Sequence, residues 1–289
     1  MNQLFPRAAL WLALSLVVLS STSGHSQSQV VTPCPNPGLT ASPPINFTSP
    51  TTAVVDDFNN DGKPDVATGS AFGGGSIQVR LGDGAGGLSS VTSTNTGRPI
   101  VSIASADFNG DGKKDLVVGH SFSSAVVTVY LGNGAGGFSL SQTLFPGGFT
   151  TDVFVAAGDV NGDSKQDLVL QLVFSFGLHQ LNVQLGDGTG HFTFNLSAAL
   201  PNTSHGGLKL TDLNSDSKLD VAMISGNTVS TLLGDGSGQF SAPQSFAAGS
   251  APISIVVGDF NGDSKKDVAV ANNGSNDASI LFGDGAGNL

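Results

Sequence analysis

The 289-residue sequence contains no glutamate, so all 22 of its acidic residues are Asp. It has one cysteine, one tryptophan and one tyrosine, and charged residues make up only 11% of it. Each shortage excludes something. A lone Cys34 cannot form an internal disulfide, so no disulfide framework holds this fold. Without Glu, carboxylate acid–base chemistry would fall to Asp alone. His120, His179, His191 and His205 are scattered, and none forms a motif with a Ser or Cys nucleophile. The chain is therefore not expected to be an enzyme. Eleven basic residues leave a net charge of −11 with no basic patch, so nucleic-acid binding is not expected.

Glycine is abundant at 40 residues, phenylalanine is frequent at 18, and 39% of the chain is hydrophobic. That composition suits short strands joined by tight turns around a buried core. At the N-terminus, Arg7 is followed by an apolar run from Ala8 to Leu19 and small polar residues from Ser20 to Ser26. This order of features marks residues 1–26 as a signal peptide, with cleavage after Ser23 or Ser26, and the apolar run is short for a bilayer span. An uncleaved anchor is the alternative. Either sends the rest of the chain out of the cytoplasm, secreted or at the cell surface, with no membrane span in the mature part. Residues 27–43, rich in Pro, Ser, Gln and Asn, read as a linker that carries Cys34.

The aspartates are placed rather than scattered. Fifteen of the 22 fall in five copies of one nine-residue pattern. The copies read DFNNDGKPD from Asp57, DFNGDGKKD from Asp107, DVNGDSKQD from Asp159, DLNSDSKLD from Asp212 and DFNGDSKKD from Asp259. Positions 1, 3, 5 and 9 are Asp, Asn, Asp and Asp in every copy, and position 7 is Lys. Copies begin 50, 52, 53 and 47 residues apart, the signature of a repeat architecture.

Oxygen side chains at alternate positions of a curled loop converge on one point. Ca²⁺ takes six to eight oxygen ligands, and a backbone carbonyl at position 7 commonly completes such a set. The expected ligand positions are Asp57, Asn59, Asp61, Lys63 and Asp65 in the first loop. The second has Asp107, Asn109, Asp111, Lys113 and Asp115, and the third Asp159, Asn161, Asp163, Lys165 and Asp167. The fourth has Asp212, Asn214, Asp216, Lys218 and Asp220, and the fifth Asp259, Asn261, Asp263, Lys265 and Asp267. Each lysine would lend only its carbonyl and turn its ammonium to solvent. Three Asp and one Lys leave each loop at −2, which one Ca²⁺ cancels, and up to five ions are expected. Mg²⁺ prefers a smaller shell and its own water, and zinc would want His or Cys. An EF-hand needs Glu at position 12, where these copies carry Thr68, Val118, Leu170, Met223 or Val270.

The runs around each loop read as strands. In the second repeat they span 100–106, 115–120, 125–131 and 138–145, and no sustained helical period follows the signal. Four strands per fifty residues fit a blade of an all-β propeller spanning residues 44–289. A second motif joins the third and fourth strands: LGDGAGGL at Leu81, LGNGAGGF at Leu131, LGDGTGHF at Leu185, LGDGSGQF at Leu233 and FGDGAGNL at Phe282. Its Asp-Gly or Asn-Gly step suits a tight turn, and turn chemistry is the favoured role of its Asp. In an up-and-down blade, these turns share a rim with the metal loops. Residues 44–49 (PINFTS) resemble a fourth strand that could complete the last blade and close a five-bladed ring. The alternative is part of a larger propeller.

These motifs resemble the FG-GAP/VCBS repeat family, calcium-binding extracellular propellers related to the integrin α-subunit head. The resemblance implies Ca²⁺ held by positions 1, 3, 5 and 9 with the carbonyl of position 7. It also implies a binding, adhesion or structural module whose partner is an extracellular protein or a glycan. A lectin-like propeller and an accessory domain of a larger secreted enzyme are the alternatives. The lectin alternative is weakened because sugar sites favour Trp and Tyr, and the chain has only Trp11, in the signal, and Tyr130, in a strand. Phe58, Phe108 and Phe260, at position 2 of their loops, are expected in the core.

Overall fold

The computed structural model describes residues 46–121, 126–147, 150–175, 179–200 and 207–289. The signal and linker, residues 1–26 and 27–43, lie outside the described residues, as does His205.

Nineteen strands and no helix form among the described residues. Blade 1 comprises β1 (Pro50–Asp56), β2 (Asp65–Ser70), β3 (Ser76–Gly82) and β4 (Leu88–Asn95). Blade 2 comprises β5 (Ile100–Ala106), β6 (Asp115–His120), β7 (Val127–Gly132) and β8 (Phe138–Leu144). Blade 3 comprises β9 (Thr150–Gly158), β10 (Asp167–Phe174), β11 (His179–Gly186) and β12 (Phe192–Leu200). Blade 4 comprises β13 (Leu208–Thr211), β14 (Asp220–Ser225), β15 (Thr228–Leu232) and β16 (Gln244–Ala247). Blade 5 has three strands, β17 (Pro252–Gly258), β18 (Asp267–Asn272) and β19 (Asp277–Leu281). Within each blade, neighbours in sequence are antiparallel neighbours in space. The five sheets are the blades of a five-bladed β-propeller, and the first strand of each packs on the first strand of the next.

The second strand of each blade is sandwiched on both faces, so it reads as a nearly continuous apolar run rather than an alternating one. DLVVGH in β6 is buried at every position, and so are the first seven residues of β10. Alternate residues of such a strand serve different seams. Val117 of β6 faces forward to Leu168, Leu170 and Leu172 of blade 3. Leu116 and Val118 face back to Ala67, Ile77 and Val79 of blade 1. Equivalent cores join blade 3 to blade 4 through Val169, Val183, Val221 and Met223, and blade 4 to blade 5 through Ala222, Ile224, Val268 and Val270. Fully buried Val and Leu side chains are each worth roughly 1.5–3 kcal/mol relative to exposure. Among the described residues, four such cores join the five blades, and none joins blade 5 to blade 1.

Residues 46–49 do not complete the last blade. They lie against blade 1, on the face turned away from blade 2. The Thr48 amide donates to Gln78 Oε1 at 3.0 Å, and Arg80 donates to the Asn46 carbonyl at 2.6 Å. The Arg80 guanidinium also sits 5.1 Å over the Phe47 ring. Gln78 and Arg80 stand on that face beside Thr68 and supply the polar atoms that hold the segment.

Candidate metal centre

Each nine-residue loop connects the first and second strands of its blade, on the rim shared with the turns between the third and fourth strands. The five loops have one geometry. Position 4 (Asn60, Gly110, Gly162, Ser215, Gly262) and position 6 (Gly62, Gly112, Ser164, Ser217, Ser264) are left-handed in every copy, with φ between 58° and 81°. Only Gly, Asn and Ser occur there, because a bulky side chain in that region is strained.

The two reversals curl the loop so that its oxygens and amides face inward. In the first copy the Asp61 amide donates to both Asp57 Oδ1 and Asn59 Oδ1 at 3.1 Å. The Gly62 amide donates to Asp57 Oδ2 at 2.7 Å, and the Lys63 amide to Asp61 Oδ1 at 2.9 Å. The same bonds recur from Asp107, Asp159, Asp212 and Asp259. The oxygens of positions 1 and 3 thus converge on a single amide.

Position 9 behaves differently. Asp65, Asp115, Asp167, Asp220 and Asp267 are completely buried. In each, Oδ2 accepts the amide of position 2 of its own loop at 2.8–3.0 Å. Oδ1 accepts the amide of the first glycine of the second motif, Gly82, Gly132, Gly186, Gly234 or Gly283, at 2.7–2.9 Å. The position-9 aspartate therefore clamps the loop to the turn two strands away. A Cβ on Gly132 would collide with the Lys114 carbonyl, so glycine is required where the two segments meet. Burial pushes the carboxyls of Asp115, Asp167 and Asp220 above the usual range, opposed by the two amide bonds and reinforced by the negative charges at positions 1 and 5.

The lysine side chains are solvent-exposed, and each also makes an ion pair. Each ammonium returns to the position-5 carboxylate of its own loop, from 2.9 Å for Lys113–Asp111 to 4.0 Å for Lys165–Asp163 and Lys218–Asp216. The hydrogen bond from Lys113 is the main reason that the Asp111 carboxyl lies below the ordinary range. The aspartate of the second motif serves its own turn, as turn chemistry predicts. Asp83 Oδ1 accepts the amides of Ala85 and Gly87 at 2.7 and 2.9 Å.

A metal fits this donor set in chemistry, since it is all oxygen, curled, and carries a buried carboxylate beside two like charges. Among the described residues no three carboxylate, imidazole or thiol groups stand in metal-ligand geometry, and the loop carboxylates accept backbone amides.

The rim also stitches the blades together, through residues whose partners sequence reasoning did not find. The carbonyl of position 2 accepts an amide from the next blade's second motif: Phe58 from Gly136 at 3.1 Å, Phe108 from Gly190 at 2.9 Å and Val160 from Gly238 at 2.9 Å. The position-2 ring packs on the aromatic that ends that motif, Phe58 edge-on to Phe138 at 5.7 Å and Phe108 to Phe192 at 5.4 Å. Phe58 and Phe108 are buried as expected, whereas Phe260 of blade 5 is only half-buried.

His120 is buried and hydrogen-bonded, with Nδ1 3.3 Å from the Arg98 and Pro99 carbonyls and Nε2 2.7 Å from Thr128 Oγ1. Carbonyls only accept, so Nδ1 carries the proton and Thr128 donates to Nε2. His179 is also buried and His191 is exposed.

Five blades, each with the same curled loop clamped to the same glycine turn, define a repeat-built β-propeller. The FG-GAP-like repeat matches residues 57–118, 107–170 and 212–270, and this chain belongs to that family. No curated protein matches its sequence. Among solved structures it is similar to BBS1N in complex with ARL6DN at 13% identity and a TM-score of 0.53, covering 86% of this chain and 68% of that one. It is also similar to an Agrocybe aegerita lection recognising non-reducing terminal N-acetylglucosamine, at 16% identity and a TM-score of 0.45, covering 83% and 79%. The V. cholerae biofilm matrix protein Bap1 gives 16% identity and a TM-score of 0.45, covering 83% of this chain and 38% of that one. At these identities the likeness is one of fold.

Proposed function

We propose that this chain is a calcium-stabilised β-propeller acting outside the cytoplasm as a binding, adhesion or structural module, not as an enzyme. The observation that supports it most is the fivefold recurrence of one loop geometry, with two side-chain oxygens converging on the position-5 amide beside a buried position-9 carboxylate. Asp, Asn and Asp of positions 1, 3 and 5, the position-7 carbonyl and the position-9 carboxylate would hold the ion. Calcium supplies the positive charge that lets several carboxylates share one small volume. The residues already form the rest of the device, since position 9 ties each loop to its blade and position 2 ties it to the next. Full coordination leaves no open position for chemistry, so the ion is structural. A protein or glycan partner would be met on a rim or in the channel between the first strands.

Calorimetric titration of metal-free protein lacking residues 1–26, with thermal unfolding in calcium and in chelator, tests this. About five ions per chain and a calcium-dependent rise in melting temperature are expected, each saturated site adding about 2.7 kcal/mol at a hundredfold excess over its Kd. Magnesium at the same concentration should give a smaller shift. No bound ion and no shift would reduce the loops to turns.

A further inference from the structure

We propose, on the calcium reading above, that the position-7 lysine is the resident counter-cation of each loop, shared with the second-motif aspartate of its blade, and that Asn133 makes the loop of blade 2 the weakest calcium site of the five. The loop and the second turn of a blade lie side by side, and the lysine crosses from one to the other. A Cβ on the glycine after the second-motif Asp or Asn would press on the lysine stem in every blade: Gly84 on Lys63, Gly134 on Lys113, Gly188 on Lys165, Gly236 on Lys218 and Gly285 on Lys265. Each stem thus runs over its turn before the ammonium reaches position 5.

The chain carries its own comparison. In four blades the turn holds a carboxylate, Asp83, Asp187, Asp235 or Asp284. There the ammonium lies 3.4 Å from position 5 in blade 1, 4.0 Å in blades 3 and 4, and 3.8 Å in blade 5. The carboxyls of Asp83 and Asp235 are held below the ordinary range first by the amides of Ala85 and Ser237, and the charges of Lys63 and Lys218 add to this. In blade 2 the turn holds Asn133, whose Oδ1 accepts the amides of Ala135 and Gly137 at 2.8 and 3.0 Å, so the turn is kept and only the charge is lost. Lys113 there closes to 2.9 Å and hydrogen-bonds Asp111. Lys114, the other lysine of that loop, is engaged with Asp56 of blade 1 at 3.3 Å.

An ion and an ammonium compete for the same position-5 carboxylate. An ammonium released from position 5 finds a second carboxylate in blades 1, 3, 4 and 5, and none in the turn of blade 2. Counting three loop Asp, one Lys and the turn residue, the ion enters a net charge of −3 in four blades and −2 in blade 2. Both effects weaken the same site.

The position-6 amides of Gly62, Gly112, Ser164, Ser217 and Ser264 each donate to the position-1 carboxylate of their own loop, so in NMR spectra of the full chain they report calcium loop by loop. The Gly112 amide should reach its calcium midpoint last, at about threefold or more the concentration needed by the others. Asn133→Asp should lower that midpoint about threefold to tenfold, but no more than about twofold in a Lys113→Met background, where only the bare charge acts. Lys113→Met keeps the stem and the carbonyl. Alone it should lower the Gly112 midpoint in calcium, yet lower the melting temperature in chelator at low salt by about 1–2 °C. A Gly112 amide that saturates with or before the others overturns the proposal, as does an equal gain from Asn133→Asp in both backgrounds. So does a Lys113→Met variant unchanged in both calcium and chelator. These results leave the calcium reading standing, whereas position-6 amides that ignore calcium in all five loops overturn that reading and the ranking with it.

Discussion

Asp115 and Gly132 stand 17 residues apart and meet at 2.8 Å, carboxylate Oδ1 to backbone amide. The other oxygen of Asp115 accepts the Phe108 amide at 2.8 Å, so one buried side chain holds both ends of the rim of blade 2. Replacing Asp115 with Ala leaves two buried amides without partners, at about 1–3 kcal/mol each. A loss of about 3 kcal/mol is expected in urea unfolding in chelator, and a larger one in calcium, where a ligand of the ion is lost as well. Dependence on calcium alone would mean that the clamp has no structural role of its own.

The left-handed loop positions predict opposite effects from neighbouring substitutions. Ser264, at φ 68°, sits where glycine is at ease, and Gly262, at φ 81°, occupies the same region two residues earlier. Ser264→Gly should stabilise blade 5 by up to about 1 kcal/mol, and Gly262→Ala should destabilise it by about 1–2 kcal/mol. Equilibrium unfolding of the two variants under one condition decides the sign.

The edge-on pair Phe108–Phe192 crosses the seam between blades 2 and 3. A double-mutant cycle with Phe108→Leu and Phe192→Leu should return a coupling of about 0.5–1.5 kcal/mol, beyond the loss of buried area in either single variant. Strict additivity would reduce the pair to two independent core residues.

His120 predicts a pH dependence. Burial, aided by the charge of Arg98 and opposed by the carbonyls of Arg98 and Pro99, lowers its pKa from the ordinary 6.5. The unfolded chain therefore binds this proton more readily than the folded one. Stability from neutral His120 is fully present above pH 6.5 and is lost as pH falls below it toward the folded-state pKa. His120→Gln lacks this titration, so the stability gap between native protein and variant should narrow between pH 7 and pH 5. A constant gap across that window would place the acid sensitivity elsewhere.

Much of this architecture is legible in the sequence, because it depends on residues close together in the chain. The segments 100–106 and 115–120 announce β5 and β6 at their observed ends, since short apolar runs rich in β-branched residues are bounded there by the polar loop residues of the repeat. The curl of the nine-residue loop follows from oxygens at alternate positions and small residues at positions 4 and 6. The shared rim follows from blade connectivity. Tertiary structure alone decided which aspartate does what. Positions 1, 5 and 9 are the same letter, yet only position 9 is buried, because its partners, an amide seven residues before it and another from a separate strand, close over it. The pairing of Phe108 with Phe192, the return of each lysine to its own loop and the placing of residues 46–48 on blade 1 were equally beyond local pattern. Seams between blades join residues about fifty positions apart, and which faces meet depends on how whole sheets stack. For the same reason Ile280 looks in sequence like any other strand residue, and only its place in the last of the stacked sheets leaves it exposed.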